Sequence, residues 1–593
     1  MEQLIWVDAG NFRNCGGWVI DQQFMDLMGS SYLLAHGMGR PVAPATAVVD
    51  VPSAGCYHVW AYTYNWTSPW SMEEGPGRFQ VAVNGEKLPN IVGSRGCAWE
   101  WQLLGMAELP AGENRLELID LTGFDGRCAA LCLKNGDGAP DKTPGEHLNG
   151  QHPVQAGAFN VVVCGGGIAG ICAAVSAARL GSRVALVNDR PVLGGNNSAE
   201  IRVHLGGRIE SGMYPQLGNL LKEFGPRAGG NAQPAERYED WRKMAIVSGE
   251  PNITLFPNSR ILAVNMDNDG KIRSVVTRHI VNGTDTEFTA PLFIDCTGDG
   301  TVGALAGADY HMGREGKDAF NEPRAPEKAD KLTMGASVQW YSREDVQPTD
   351  FPEFDYGMGF TDESCEKVTM GEWTWETGMN YDQIRDFERI RDYGLLVVYA
   401  NWSFLKNHLK DNAEYRNRSL EWVAYISGKR ESRRLMGDFI LTENDLLEYR
   451  VQPDATAATT WTVDLHYPDP QNTKHFPARE FKSVAHHAAI YPYPVPYRCL
   501  YSRNVPNLFM AGRNISVTHV ALGTTRVMRT TGMLGEVAGM AAEICRRHHA
   551  LPRDVYEKYL DELKSLMTIG AGQTGLPNNQ HYNEGGTKGP VRP

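Results

Sequence analysis

The sequence has no long apolar run: no stretch of its 593 residues approaches the ~20 consecutive apolar residues of a membrane helix, which excludes a helical span. Positive charge is also scarce. Lys and Arg number 57 against 70 Asp and Glu, a net charge of −13 with no basic stripe, which argues against a grip on nucleic-acid backbones or anionic lipid. Paired cysteines are missing too: the eleven cysteines are scattered and only Cys128 and Cys132 lie close together, so neither a disulfide framework nor a zinc ribbon is indicated and no metal site is expected. The opening MEQLIWVDAGNFRNCGG shows no basic segment followed by an apolar one, so the expectation is a cytoplasmic chain, or an exported chain already processed. No internal repeat is present. The glycosylation-type triplets Asn196-Asn197-Ser198 and Asn514-Ile515-Ser516 fall in loops assigned below to ligand binding, where a glycan would obstruct, and read as chance matches.

What is present suits a large α/β protein. The length implies two to four domains, and 42% hydrophobic residues with 63 glycines are ordinary for a chain with a sizeable core. Residues 1–150 carry short alternating runs, GCYHVWAYTYNW, GRFQVAVNG and GENRLELIDL, between Gly, Pro and Asn turns, the pattern of an antiparallel β-sandwich. Seven of the 14 tryptophans sit there (Trp6, Trp18, Trp60, Trp66, Trp70, Trp99 and Trp101). They either fill the sandwich core or, for loop residues such as Trp66 and Trp70, stack on sugar rings or close over a neighbouring site. A Gly/Pro/Asn/Asp-rich linker, KNGDGAPDKTPGEHLNGQHPVQAG, marks a boundary near 150. Beyond it the chain divides into 155–310, a more polar insertion at 311–484 with helical stretches NYDQIRDFERIRDYG and WSFLKNHLKDNAEYRNRSLEWVAYISG, a returning segment at 485–550, and a C-terminal helix and Gly/Asn-rich tail at 551–593.

The most informative stretch is FNVVVCGGGIAGICAAVSAARLGSRVALVNDR. Phe159 to Cys164 is an apolar strand; Gly165, Gly167 and Gly170 follow at the dinucleotide spacing, and a helix opens with Ile168 and Ala169. The first glycine permits the tight turn, the second lets backbone approach a pyrophosphate, and the third lets the helix lie close to the sheet. The phosphates then meet the free N–H groups and the dipole of a helix N-terminus. After Gly181 a second strand, RVALV, ends at Asn188 and Asp189, the ribose position, with Arg190 beside them. Asn188 can accept a ribose hydroxyl through its amide oxygen, and the alternation of a strand turns Asp189 elsewhere.

Four further stretches, in order, carry a family resemblance: RPVLGGNNSAEIRVHLGG (190–207), FIDCTGDGTVGALAGADYHMGRE (293–315), GKRESRRLMGDFILTENDL (428–446) and NLFMAGRNISVTHVALGTTRVMRTTGMLGEVAGMAA (507–542). With the opening motif they resemble the FAD-dependent oxidoreductases of the glutathione-reductase-type fold, in particular a bacterial family whose members often carry an N-terminal β-sandwich. The resemblance implies an α/β architecture: a Rossmann-like FAD-binding domain with an inserted α+β substrate domain, preceded by an all-β sandwich. It implies FAD as the cofactor. Gly194 and Gly195, with Asn196 and Ser198 after them, look like the second glycine pair near the flavin; Asp295, Thr297, Gly298 and Asp299 look like a second nucleotide contact; Gly512, Arg513 and Asn514 look like the last FAD fingerprint. Glu431, Arg433 and Arg434 match a family motif and are expected to brace the substrate domain.

A flavin needs a proton-transfer partner, and two histidines are placed for it relative to these motifs: His519, five residues beyond Asn514, and His204, in the loop after Gly194-Gly195. Arg526 and Arg529 could steady a reduced flavin or bind a substrate carboxylate, or could form ion pairs on a solvated face. Asp464 and His466 share one side of a strand, a carboxylate-oriented imidazole without a third metal ligand, and at most one of His486 and His487 can face the same way. The expected activity is FAD-dependent oxidation of a hydroxyl-bearing carbon of a carbohydrate or polyol. The sugar is suggested by the tryptophan-rich sandwich and the family's association with glycan breakdown. The rivals are a reductase of an unsaturated or keto substrate and a flavin-containing sugar-binding or redox-sensing protein without turnover. The expected partner is a small molecule; the electron acceptor and self-association stay open.

Overall fold

The computed structural model describes residues 3–150, 152–371 and 373–578. At the N-terminus, antiparallel strands form two four-stranded sheets. One orders Leu4–Asp8, Ala130–Lys134, Gly55–Thr63 and Glu100–Leu109; the other Ala45–Val51, Gly112–Asp120, Phe79–Val83 and Glu86–Lys87. A third sheet of Gly126–Cys128, Tyr32–Ala35 and Val19–Asp21 flanks them. Buried and exposed residues alternate along Ala45–Val51 and Gly112–Asp120, so Val49, Leu116 and Leu118 meet Val59 and Leu131 in one core.

Trp18, Tyr57 and Phe79 belong to that core, whereas Trp66 and Trp70 lie outside it. Trp66 is 1% exposed and donates its indole N–H to the Phe124 carbonyl at 2.9 Å; Trp70 stacks on Tyr393 at 5.5 Å. Together with Tyr64 and Phe124 they pack against Trp340, Phe354, Tyr399 and Trp402 of the region read as an insertion. These rings are apolar area shared between two parts of the chain, which the period-2 pattern alone could not distinguish from a domain core. A buried ionic lattice reinforces the contact. Arg127 binds Asp392 at 2.9 Å, and Arg391 binds Asp21 at 2.5 Å and Asp392 at 2.9 Å, with all four side chains at most 2% exposed.

The linker stretch is partly regular. Thr143 caps the helix Pro144–Leu148 through a capping box with Glu146, and Val154–Ala158 runs parallel to Asp285–Thr289 as the edge of a sheet completed by Ile272–His279 and Ser259–Met266. Helix Phe387–Asn407 is buried over most of its circumference, whereas the second stretch read as helical turns into the strand Arg418–Val423, paired with Trp340–Glu344.

The central sheet is parallel, ordered Ile253–Phe256, Val184–Val187, Val161–Cys164, Leu292–Asp295 and Leu508–Met510, with Val162 between Ala185 and Phe293. The three inner strands are fully buried, as their unbroken apolar runs require when helices cover both faces. The chain therefore runs outward in both directions from Val161–Cys164, and the crevice at such a switch point lies beyond the strand C-termini. Helix Met528–His548 lies directly on helix Ile168–Arg179: a Cβ on Gly535 would stand 2.2 Å from the Ala169 carbonyl oxygen, and one on Gly539 2.4 Å from that of Ala173. Two short helices, Pro552–Lys558 and Leu560–Ile569, replace the single expected C-terminal helix, and part of the tail expected to be unstructured docks: Ala571 N–H donates to Glu536 at 2.7 Å. The rest of that tail, 579–593, lies outside the described residues. Among the described residues no helix is long and apolar enough to cross a membrane.

Candidate cofactor and active site

One elongated cavity opens at the switch point, where Gly165 of the first strand and Cys296 and Thr297 of its neighbour meet. Glycines line its floor, and two positions in the turn beneath it have no room for a side chain. Gly165 has φ +106° and its Cβ would fall 2.3 Å from the Cys296 carbonyl oxygen; a Cβ on Gly170 would fall 1.8 Å from Gly165 O. Gly167 precedes the helix Ile168–Arg179 in extended conformation, so that helix opens straight onto the cavity. Gly194 and Gly195 (φ +115° and +62°) run alongside: Gly194 N–H donates to Gly166 O at 2.8 Å, and Gly167 bridges Gly194. Gly512 and Arg513 close the far side.

Asn188 and Asp189 both line the cavity, and Asp189 is not turned away as the strand alternation predicts. The Asn188 oxygen accepts from Gly166 N–H at 3.1 Å, and its amide donates to the carbonyls of Arg190 and Val192, so this residue braces the turn. Asp189 faces the cavity and pairs with Arg260 at 2.7 Å, while Arg190 turns to Glu200 at 3.1 Å. Lower along the groove Asp299 holds Lys429 at 2.7 Å and Arg513 at 2.8 Å. Burial opposes its charge, but the two cations override burial and hold the Asp299 carboxyl well below the usual range. Burial correspondingly lowers Lys429, against the pull of Asp299.

Four expected cofactor residues stand behind the wall. Gly170 serves packing; Ser198 donates to Gly195 O at 2.7 Å; Asp295 accepts from Thr297 and, at 3.0 Å, from Gly303 N–H; Asn514 donates to Asp295 O at 3.2 Å. Asn196 does line the cavity and donates to Lys429 O at 2.9 Å.

At the other end the two histidines separate. His204 lines the cavity; Asn231 Oδ1 accepts both from its backbone N–H, at 3.0 Å, and from its ring Nδ1, at 2.9 Å, so Nε2 is the basic nitrogen. Burial, with a smaller push from Arg529, lowers its pKa below the usual 6.5. His519 does not line the cavity. It is 1% exposed, its Nδ1 lies 3.0 Å from both Glu431 oxygens, and its N–H donates to Glu315 at 2.8 Å. Glu431 and Glu315, the two carboxylates that meet His519, both pair with Arg434.

Arg526 and Asp464 face the cavity beside His204's end and pair at 3.1 Å; Asp464 also lies 3.3 Å from His466, whose other nitrogen meets Glu376 at 2.6 Å. Burial opposes the charge on Glu376, but Arg430 and His466 bring it down to about 2, and burial brings Arg430 to about 10. Arg529 is turned into the protein and donates to Gly207 O at 2.9 Å. His487 approaches Asp464 at 3.6 Å, and His486 packs on Tyr467. The wall also includes residues that local pattern reading missed: Gln22 and Gln23 from the N-terminal module, Arg260, Trp373, Lys429 and Trp461. Only Lys429 lay inside a recognised motif stretch, as the lysine of GKRESRR.

Among the described residues no cluster of three His, Cys, Asp or Glu side chains could hold a metal ion. A glycine-floored groove at a switch point, with a helix N-terminus, a strand-end acid and a distant third segment all on it, defines a dinucleotide-binding α/β enzyme. The family model for FAD dependent oxidoreductases matches residues 160–567, and the chain belongs to that family. Its cofactor is FAD, and the groove fits it: Gly165, Gly167, Gly194, Gly195 and Gly512 leave open the space their side chains would fill, and Asn188 and Asp189, at the end of the second strand, also line it. Solved structures of similar shape include a geranylgeranyl bacteriochlorophyll reductase-like protein from Thermoplasma acidophilum (14% identity, 70% of this chain and 83% of that one, TM-score 0.31). They also include a myxobacterial FAD-dependent chondrochloren halogenase (11%, 69% and 79%, TM-score 0.29). A family 35 carbohydrate binding module from Clostridium thermocellum aligns over 22% of this chain and 97% of its own (15%, TM-score 0.18). No curated protein matches the chain.

Proposed function

We propose that this enzyme oxidises a hydroxyl-bearing carbon of a carbohydrate- or polyol-like small molecule, on the glutathione-reductase-type variant of the FAD fold, with His204 as the base. The observation that carries the reading is His204 itself: a buried imidazole on the cavity wall, its tautomer set by Asn231 and its pKa held below 6.5. It is neutral at physiological pH and can take a proton through Nε2. Bound FAD supplies a hydride acceptor. His204 removes the hydroxyl proton, and the Arg526–Asp464 pair presents a donor and an acceptor side by side for further hydroxyls. Trp373 and Trp461 give the same wall apolar faces suited to ring C–H groups. His519, away from the cavity, acts as a positioning residue within the Glu431–Arg434 network.

The test is anaerobic mixing of the yellow protein with neutral sugars, polyols, glycosides and uronates, following the flavin band. Bleaching by a hydroxylated compound, slowed by His204→Asn with FAD retained, is the expected result. Bleaching by a reduced nicotinamide alone, with none by any hydroxylated compound, would overturn the reading in favour of a reductase.

A further inference from the structure

Two consecutive residues of the N-terminal module, Gln22 and Gln23, stand in the wall of the FAD groove, more than 130 residues before its first glycine. They differ in one respect. Gln23 is saturated: its amide donates to Asp21 at 2.9 Å and to the Tyr425 carbonyl at 2.9 Å, and its oxygen accepts from Ser427 N–H at 3.0 Å. Gln22 is 2% exposed, lines the groove, and its side-chain amide has no hydrogen-bond partner among the described residues. Its nitrogen and oxygen are not sealed in the protein but open onto the groove, so in the apoprotein they cost little and a bound ligand is what can complete them.

The loop carrying it is anchored on both sides. Asp26 pairs with Arg260 at 3.0 Å, and Arg260 with Asp189 at 2.7 Å, which ties the loop to the ribose position. The Arg260 guanidinium also approaches the Gln23 carbonyl at 3.4 Å. On the opposite side Gln23 ties the loop to 425–427, two residues before Lys429. Behind it Asp21 accepts from Arg391 at 2.5 Å, within the ionic lattice that joins module and insertion.

We infer that the N-terminal module is part of the cofactor site: Gln22 hydrogen-bonds the adenosine half of FAD, and Gln23 and Asp26 are positioning residues that hold the loop against Asp189–Arg260. The ligand chemistry is that of an adenine or ribose edge, which offers both donors and acceptors to an amide.

The experiment uses the full chain, stripped of flavin and titrated with FAD, with ADP and with FMN by fluorescence and calorimetry. Gln22→Leu keeps the volume and removes both polar groups; losing one or two buried hydrogen bonds raises Kd for FAD and for ADP by about tenfold, leaves FMN unchanged, and leaves apoprotein Tm unchanged. Asp26→Ala weakens FAD and ADP in the same sense, and Asp26→Glu restores them in part. Trp70→Ala, which loosens the module against Tyr393, lowers Tm without this selective loss. The inference is overturned if Gln22→Leu leaves Kd for FAD and ADP within twofold of the parent, if FMN weakens equally, or if Trp70→Ala reproduces the selective effect.

Discussion

Replacing Gly535 with alanine sets two effects of known size against each other. Gly535 lies inside the helix Met528–His548, where alanine is preferred over glycine by about 1 kcal/mol on propensity alone. The added methyl, however, would stand 2.2 Å from the Ala169 carbonyl oxygen and 2.9 Å from its carbonyl carbon. Those are backbone atoms of the facing helix, so no rotamer change relieves the contact and the two helices must separate. Overpacking of this kind falls at the upper end of the usual range, about 3 kcal/mol, which leaves a net loss of about 2 kcal/mol and a Tm lower by about 4 °C. Because Ala169 also lines the FAD groove, moving its helix loosens the phosphate turn, and FAD affinity falls with stability. Two neighbours grade the effect. Gly539→Ala meets the Ala173 carbonyl oxygen at 2.4 Å and is expected to lose nearly as much; Gly532→Ala meets only side-chain carbons of Ile168 and Leu221 at 3.1 Å, which can yield, and is expected to be near neutral. Thermal scans of the three variants with and without FAD read the order directly. A Gly535→Ala protein as stable as the parent, or less perturbed than Gly532→Ala, refutes the reasoning.

Other outcomes follow from the same contacts. His204→Asn is expected to retain FAD and to lose about 10²- to 10⁴-fold in the rate of flavin reduction by a substrate. In the parent, burial keeps His204 below 6.5, so the rate holds as pH falls past 6.5 and declines only when the ring protonates; a pH–rate profile with its acid limb above 6.5 contradicts this. Asp299→Asn leaves Lys429 and Arg513 without their counter-charge and should cost about 3 kcal/mol by chemical denaturation. The Asp299 carboxyl is depressed in the fold, so its contribution is present above the unfolded value near 3.8 and lost as pH falls below it; the parent should therefore approach the variant in stability in strong acid, and a gap that persists there tells against the ion-pair account. Arg391→Met leaves buried Asp21 without its counter-charge and Asp392 with Arg127 alone, and should cost about 3 kcal/mol, read as a drop in Tm; a loss below about 1 kcal/mol would mean the lattice contributes little.

Much of the cofactor groove was readable in the chain because the demands there are local. A strand-to-helix turn that must admit a pyrophosphate needs glycine at Gly165 and Gly167, and close helix–strand packing needs it at Gly170; those demands fall within six residues, so spacing alone exposes them. The unbroken apolar runs VVVC and VALV announce strands covered on both faces for the same reason. Alternation along GENRLELIDL, which forms the strand Gly112–Asp120, likewise reports a half-buried sheet.

What local pattern could not report is which distant surfaces meet. Trp66 reads alike whether it fills a sandwich, faces a sugar or packs on Phe354. Whether His204 or His519 reaches the cavity depends on how two loops far apart in the chain fold over the sheet, and that Asn188 braces the glycine turn depends on a hydrogen bond from Gly166 N–H across 22 residues. The Gln23–Ser427 bond joins residues 404 positions apart. Periodicity and spacing encode each residue's own backbone and its nearest neighbours; contacts across hundreds of residues are chosen only when the whole set of buried areas and paired charges is satisfied together, and that choice exists nowhere but in the folded chain.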